Sequence, residues 1–199
     1  MNSVSKIELE EQRAKIVDAA EKRFRTFGYG KTTMVEIADD VNMSAANLYR
    51  FFTNKQSIAA ECARRCLTER VDVLREVVRR PDLSASQRLC EFVLANYRYT
   101  FEINEKAPKD NELIEIVAAE HQDLVHASIK AQTSLIAEIL AYGNEVGEFA
   151  VDDIVETSAS IQASLTIFLV PMFLPLYSRD QFEEMARSIV RLLIKGLRA

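Results

Sequence analysis

In the stretch Ser44-Ala-Ala-Asn-Leu-Tyr-Arg-Phe-Phe52, two side chains carry the hydrogen-bonding geometry that reads the edges of base pairs. Asn47 can pair with adenine and Arg50 with guanine, while the methyls of Ala45 and Ala46 can only touch the methyl of thymine. Upstream, Thr33 can offer its hydroxyl and the nearby amides to a phosphate, because helix starts favour anions. The same threonine serves equally as a simple helix cap. The chemistry expected of this segment is recognition of a duplex without covalent change. With so few groups able to read bases, sequence preference must lean on DNA shape as well.

Those residues need elements to hold them. Ile16, Ala20, Phe24 and Phe27 fall on one helical stripe, and Gly28 and Gly30 end it, which gives a first helix over about 9–27. Thr33-Met-Val-Glu36 has the form of a capping box and starts a second helix at Met34 that ends near Val41. Asn42 tolerates the left-handed conformation, and Ser44 caps a third short helix from Ala45. Two helices joined by a three-residue turn match the helix-turn-helix spacing, with Ala38 at the crossing and Ile37, Val41, Met43, Leu48 and Phe51 beneath. A generic pair of antiparallel helices satisfies the same spacing.

Further along, Thr53-Asn-Lys-Gln56 repeats the capping-box pattern and opens a long fourth helix to about Arg80, stopped by Pro81. Ser84-Ala-Ser-Gln87 opens a fifth, broken before Pro108, and Asp110 can cap a sixth from Asn111. A seventh ends at Tyr142-Gly143. Asp153 with Glu156 marks the eighth, to about Phe173, and Ser178-Arg-Asp-Gln181 the ninth, to about Leu197. The expected fold is all-α, with an N-terminal three-helix domain over 1–53, a connecting helix over 54–80, and a C-terminal helical bundle over 81–199.

Charge fits that division. The chain of 199 residues carries a formal net charge of -5, yet residues 1–80 hold 15 Lys and Arg against 12 Asp and Glu, net +3, and the remainder is net -8. A basic segment can approach a polyanion while an acidic one keeps the whole dispersed. The polar start MNSVSKIELEEQR lacks the apolar core of a secretory signal. The most apolar run, 163–177, is shorter than the ~20 residues a spanning helix needs. Three cysteines, Cys62, Cys66 and Cys90, form no paired pattern and fit a reducing compartment. A cytoplasmic location without membrane attachment is expected.

The run from Ile16 to Thr33, then Ile37-Ala38, then Ser44 to Lys55, resembles the N-terminal domain of the TetR/AcrR family over roughly residues 9–65. It includes the phenylalanine, glycine and threonine landmarks and the LY-x-x-F pattern. The resemblance implies a homodimeric, ligand-responsive transcriptional repressor of about nine helices acting on double-stranded DNA. It also implies that Lys55 and the Tyr49 hydroxyl meet phosphates, that Arg50 touches backbone more than base, and that Phe52 is buried against helices one and four. Many relatives carry lysine where Ala45 stands, so one cation is missing here.

Residues 81–199 contain no glycine-rich phosphate loop, HExxH or GxSxG, so no enzyme and no cofactor are expected. His121 and His126 are five apart and do not stack on one helical face as paired metal ligands would. On family analogy, Phe92, Tyr97, Phe101, His121, Phe168 and Met172 are candidate walls of a pocket for an apolar or aromatic effector. Small residues Ala159, Ser160, Ala163 and Ser164, with the stripe Ile189, Leu192, Leu193 and Leu197, are candidates for a two-fold dimer face, within which we single out Ala159, Ala163, Ile189 and Leu193. Such a dimer requires a palindromic operator. The alternatives are an activator on the same fold and a helical small-molecule-binding adaptor without DNA binding.

Overall fold

The computed structural model describes residues 3–106, 116, 119–168 and 170–198, with side chains from residue 6 onward except those of 106, 171 and 172. The described residues are helical with no strand, and they form eight α-helices. These are α1 (Ser3–Phe27), α2 (Met34–Asp40), α3 (Ala45–Leu48), α4 (Lys55–Val78), α5 (Ala85–Lys106), α6 (Gln122–Glu145), α7 (Ile154–Ser164) and α8 (Arg179–Leu197). The start of the expected helix from Asn111 lies outside the described residues, and residues 116, 119 and 120 within its span are helical. No helix among them is long and apolar enough to cross a membrane.

The chain divides into two compact units, one comprising the described residues up to Leu67 with those in 106–125, the other Thr68–Glu105 with His126 onward. In the first unit, Ile16, Val17, Ala20 and Phe24 of α1 meet Ile37, Ala38, Leu48, Phe52, Ile58 and Ala59 in one core. Truncating a buried phenylalanine such as Phe24 in a core of this kind costs about 3–5 kcal/mol. Gly28, at φ 91, ends α1 in the left-handed region, its amide donating to the Phe24 carbonyl at 2.9 Å. α1 begins at Ser3, well before the expected start near residue 9.

The second unit is a helical core built on Leu74 and Val78 of α4, Leu89, Phe92, Val93 and Tyr97 of α5, Ile136, Ile139 and Leu140 of α6, and Phe182, Ala186 and Val190 of α8. The Tyr97 and Phe182 rings stack at 5.8 Å, and Phe168 meets Phe182 edge-on at 5.6 Å. The start of α5 is closed by a residue far along the chain. The Glu148 carboxylate accepts from the Ala85 amide at 2.7 Å, the Ser86 amide at 3.0 Å and the Ser84 hydroxyl at 3.3 Å. Burial opposes ionisation of Glu148, but these hydrogen bonds outweigh it and hold the carboxyl below its usual range.

Three further expected boundaries differ. The fourth helix is capped by Asn54 rather than Thr53, the Asn54 Oδ1 accepting from the Ser57 amide at 2.8 Å. Both frames carry a cap-competent residue, and burial of Ile58, Ala59 and Cys62 selects the second. The eighth expected helix stops at Ser164 and gives way to 3-10 turns over Thr166–Phe168 and Pro171–Leu176. Pro171 has no amide to donate and disfavours the helical conformation at Val170. The seventh runs past Gly143 to Glu145; Gly143 is not a stop but a place of close approach, since a Cβ there would lie 2.1 Å from the Phe149 ring.

Candidate nucleic-acid interface

The α2 start is built as the sequence predicts. The Glu36 amide donates to Thr33 Oγ1 at 3.3 Å, and the Thr33 amide donates to the Glu36 carboxylate at 2.8 Å. The Thr33 hydroxyl itself donates to Glu36 Oε2 at 2.8 Å, and these bonds hold the Glu36 carboxyl below its usual range. To serve a phosphate, that hydroxyl must turn away from Glu36.

The turn between α2 and α3 is closed by backbone bonds on Ala38, whose carbonyl accepts from Val41 at 3.2 Å and Met43 at 3.0 Å. Asn42 takes φ 53, the left-handed conformation its side chain tolerates. Ala38 is fully buried at the crossing. α3 is a single turn capped by Ser44 Oγ, which accepts from the Asn47 amide at 3.2 Å, and helical turns continue through Phe52, whose amide donates to the Leu48 carbonyl at 3.1 Å. Leu48 and Phe52 are buried and Phe51 is half-buried. The other face presents Ser44, Ala46, Arg50 and Tyr49, the last 52% exposed, with Ala45 and Asn47 half-buried between.

Two arginines of α1 brace this face, and neither is marked by any local pattern. The Arg13 guanidinium donates to the Phe51 carbonyl at 2.8 Å and lies 4.1 Å from the centre of the Phe52 ring, so it holds the segment that follows α3 to α1. Arg23 donates to both Asp40 oxygens, at 2.5 and 2.9 Å, and lies 3.3 Å from Glu36. The paired hydrogen bonds hold the Asp40 carboxyl below the usual carboxylate range and raise the Arg23 guanidinium further. α2 is thereby clamped at both ends to α1.

Lys55, expected to meet a phosphate, is half-buried and engaged with the protein's own backbone. Its half-buried ammonium donates to the carbonyls of Tyr29 and Thr32, each at 2.7 Å, and sits 4.2 Å from the centre of the Tyr29 ring. At least two of its donors are thus spent on the loop between α1 and α2. Burial pushes the Tyr29 hydroxyl up in pKa.

The remaining candidates divide by location. Phe92, Tyr97 and Phe168 are fully buried in the second unit's aromatic core, and Phe101 packs against it, 5.9 Å from Tyr97. His121 belongs to the first unit, and the Met172 side chain lies outside the described residues. An open groove of about 880 Å³ runs along α1 and the α2–α3 turn, where the charged residues Lys15, Asp18, Lys22, Arg23 and Asp40 line it together with Ala19, Phe27 and Val41. No cluster of His, Cys, Asp or Glu among the described residues could hold a metal. On α7, Ala159 and Ala163 are exposed; on α8, Ile189 and Leu193 are half-buried against their own core.

Comparison with known proteins agrees with this architecture along nearly the whole chain. The family model "Bacterial regulatory proteins, tetR family" matches residues 16–62, and "Tetracyclin repressor-like, C-terminal domain" matches residues 85–190. The chain is 26% identical to the uncharacterized HTH-type transcriptional regulator YhgD of Bacillus subtilis over 186 residues, 92% of this chain and 95% of that one. A transcriptional regulator from Cytophaga hutchinsonii shares its fold at a TM-score of 0.72, 19% identity, and coverage of 92% of this chain and 97% of the other. The fatty acid degradation regulator FadR of Bacillus halodurans does so at 0.65, with 17% identity and coverage of 92% and 94%. With one model over the helix-turn-helix and a second over more than half of the chain, the protein belongs to the TetR family of transcriptional regulators, whose fold is that of a DNA-binding regulator.

Proposed function

We propose that this protein is a homodimeric repressor that holds a palindromic operator through α3 and is released by a small apolar or aromatic effector. The observation that carries the DNA reading is the outward face of α3. Its inner side is fixed by Leu48, Phe52 and the Arg13 bond, and what it leaves to solvent is small or polar. Asn47 and the methyls of Ala45 and Ala46 read bases, Ser44 fixes the helix start, and Thr33, Tyr49, Arg50 and Lys55 meet phosphates. Residues 1–53 form the reading head, 54–80 the connection, and 81–199 the effector and dimer region.

The dimer is supported by an unpartnered face. Val155 is 79% exposed and Leu192 67%, Ala159 and Ala163 are open to solvent, and a Cβ on Gly196 would meet nothing within 4 Å. With Ile189 and Leu193 at its edge, this face suits close packing against a second copy. The apolar effector is supported by the aromatic composition of the second unit and by the likeness to a regulator of fatty acid degradation.

Fluorescence anisotropy on DNA from upstream of the gene, against random duplex and across a salt series, tests this reading. Specific binding should exceed random binding and fall steeply with salt. Asn47→Ala should lower preference for the specific site while leaving random binding intact. Equal loss on both duplexes removes Asn47 as a base reader, and a monomer by sedimentation at micromolar concentration removes the palindrome.

A further inference from the structure

A chain of polar side chains runs inside the second unit where an apolar core is the rule. Asn96 of α5 donates through Nδ2 to Gln132 Oε1 of α6 at 2.8 Å, and Gln132 Nε2 donates to Ser128 Oγ at 3.2 Å. One turn on, the Thr100 hydroxyl donates to the Asn96 carbonyl at 3.1 Å and accepts from Arg70 Nη2 of α4 at 3.2 Å. Asn96 is 1% exposed and Gln132 3%. The chain does not close: Asn96 Oδ1 is sealed from solvent and accepts nothing.

Such a group is costly. A buried acceptor without a donor forfeits the hydrogen bond it makes with water in the unfolded chain, whereas an apolar pair of the same shape in place of Asn96 and Gln132 is close to neutral. A buried carboxamide fixed by one hydrogen bond, with its carbonyl oxygen still lacking a donor, can orient a mostly apolar ligand by one polar contact.

We infer that the Asn96–Gln132 pair is the polar anchor of the effector site, with Asn96 Oδ1 accepting a hydrogen bond from a hydroxyl or N–H of an otherwise apolar ligand. The inference rests on the effector reading above and deepens it. Gln132 and Ser128 act as positioning residues that hold the carboxamide in place. The anchor separates ligands by their donor: a compound with a hydroxyl binds, and its methyl ether, equal in shape but without the proton, leaves the acceptor buried and unmet. A site that hydrogen-bonds its ligand discriminates more sharply in this way than one that fills a hydrophobic pocket.

The test uses the full chain and three matched pairs: 4-phenylphenol and 4-methoxybiphenyl, 2-naphthol and 2-methoxynaphthalene, 1-decanol and decyl methyl ether. Thermal unfolding and titration calorimetry are run on the wild type and on Asn96→Leu/Gln132→Met. At least one hydroxyl compound should stabilise the wild type and bind at least tenfold more tightly than its ether. The double variant should unfold no earlier than the wild type without compound and should lose that preference. If the double variant fails to fold, Asn96→Ala is read the same way. Equal binding of alcohol and ether, or a preference retained in the variant, overturns the anchor and leaves the effector reading standing. No stabilisation by any of the compounds overturns both.

Discussion

Replacing Lys55 by methionine separates two roles for one ammonium. The structure gives Lys55 two charge-assisted hydrogen bonds of 2.7 Å, to the Tyr29 and Thr32 carbonyls, and a position over the Tyr29 ring. Bonds of this kind contribute about 1.5–3 kcal/mol each, and the ring contact about 0.5–1 kcal/mol. Against that stand the cost of half-burying a cation and the access of water to the loop carbonyls in the variant. A net loss of about 2–3 kcal/mol is expected, which for a unit of this size lowers the melting temperature by roughly 10 °C or more. Urea unfolding followed by circular dichroism measures it, and the same sample titrated with DNA across a salt series measures the other role. If Lys55 also meets a phosphate, the salt slope falls by about 1. A variant within ~0.5 kcal/mol of the wild type, whatever its DNA affinity, refutes the loop-clamping role.

Gly143→Ala should destabilise the second unit by about 2–3 kcal/mol, since the new methyl must displace the Phe149 ring; an unchanged unfolding midpoint would show that the ring moves freely. Glu148→Gln should lower stability by about 1–2 kcal/mol through the loss of charge at the α5 start, measurable by denaturant titration at neutral pH. The Asp40 carboxyl has a lower proton affinity folded than unfolded, so its contribution is complete above the unfolded value and is lost as pH falls through the folded one. Unfolding midpoints followed from pH 5 down to pH 2 should therefore drop, and Asp40→Asn should flatten that dependence; an unaltered slope would remove Asp40 as a cause.

What was legible in the sequence was local. Thr33 with Glu36, Ser44 with Asn47, Ser84 with Gln87, Asp153 with Glu156 and Ser178 with Gln181 form their caps within four residues, so residue types and spacing suffice to find them. Asn42 was readable for the same reason. What escaped depends on partners distant in sequence. Nothing near Arg13 reveals that its guanidinium reaches the Phe51 carbonyl 38 residues on, and nothing near Lys55 reveals its hold on a loop 23–26 residues back. Gly143 reads as a helix stop because a sequence shows the missing side chain but not the ring that needs the space. On the outward face of α3, Asn47 and Arg50 are candidates by their hydrogen-bonding types alone. The α1 arginines that keep that face in place are not.

The start of α5 holds four consecutive amides with two kinds of guarantor. Those of Ser84 and Gln87 are satisfied by each other's side chains, a purely local arrangement. Those of Ala85 and Ser86 depend on Glu148, 63 and 62 residues away. Hydrogen exchange at adjacent backbone positions thus reports different events. Ser84 and Gln87 record whether one helical turn is formed, while Ala85 and Ser86 record whether the segment just after α6 has docked. Any partial opening that frees the segment around Glu148 while leaving α5 wound would appear as a split between neighbours, visible at two peaks before the helix as a whole gives way.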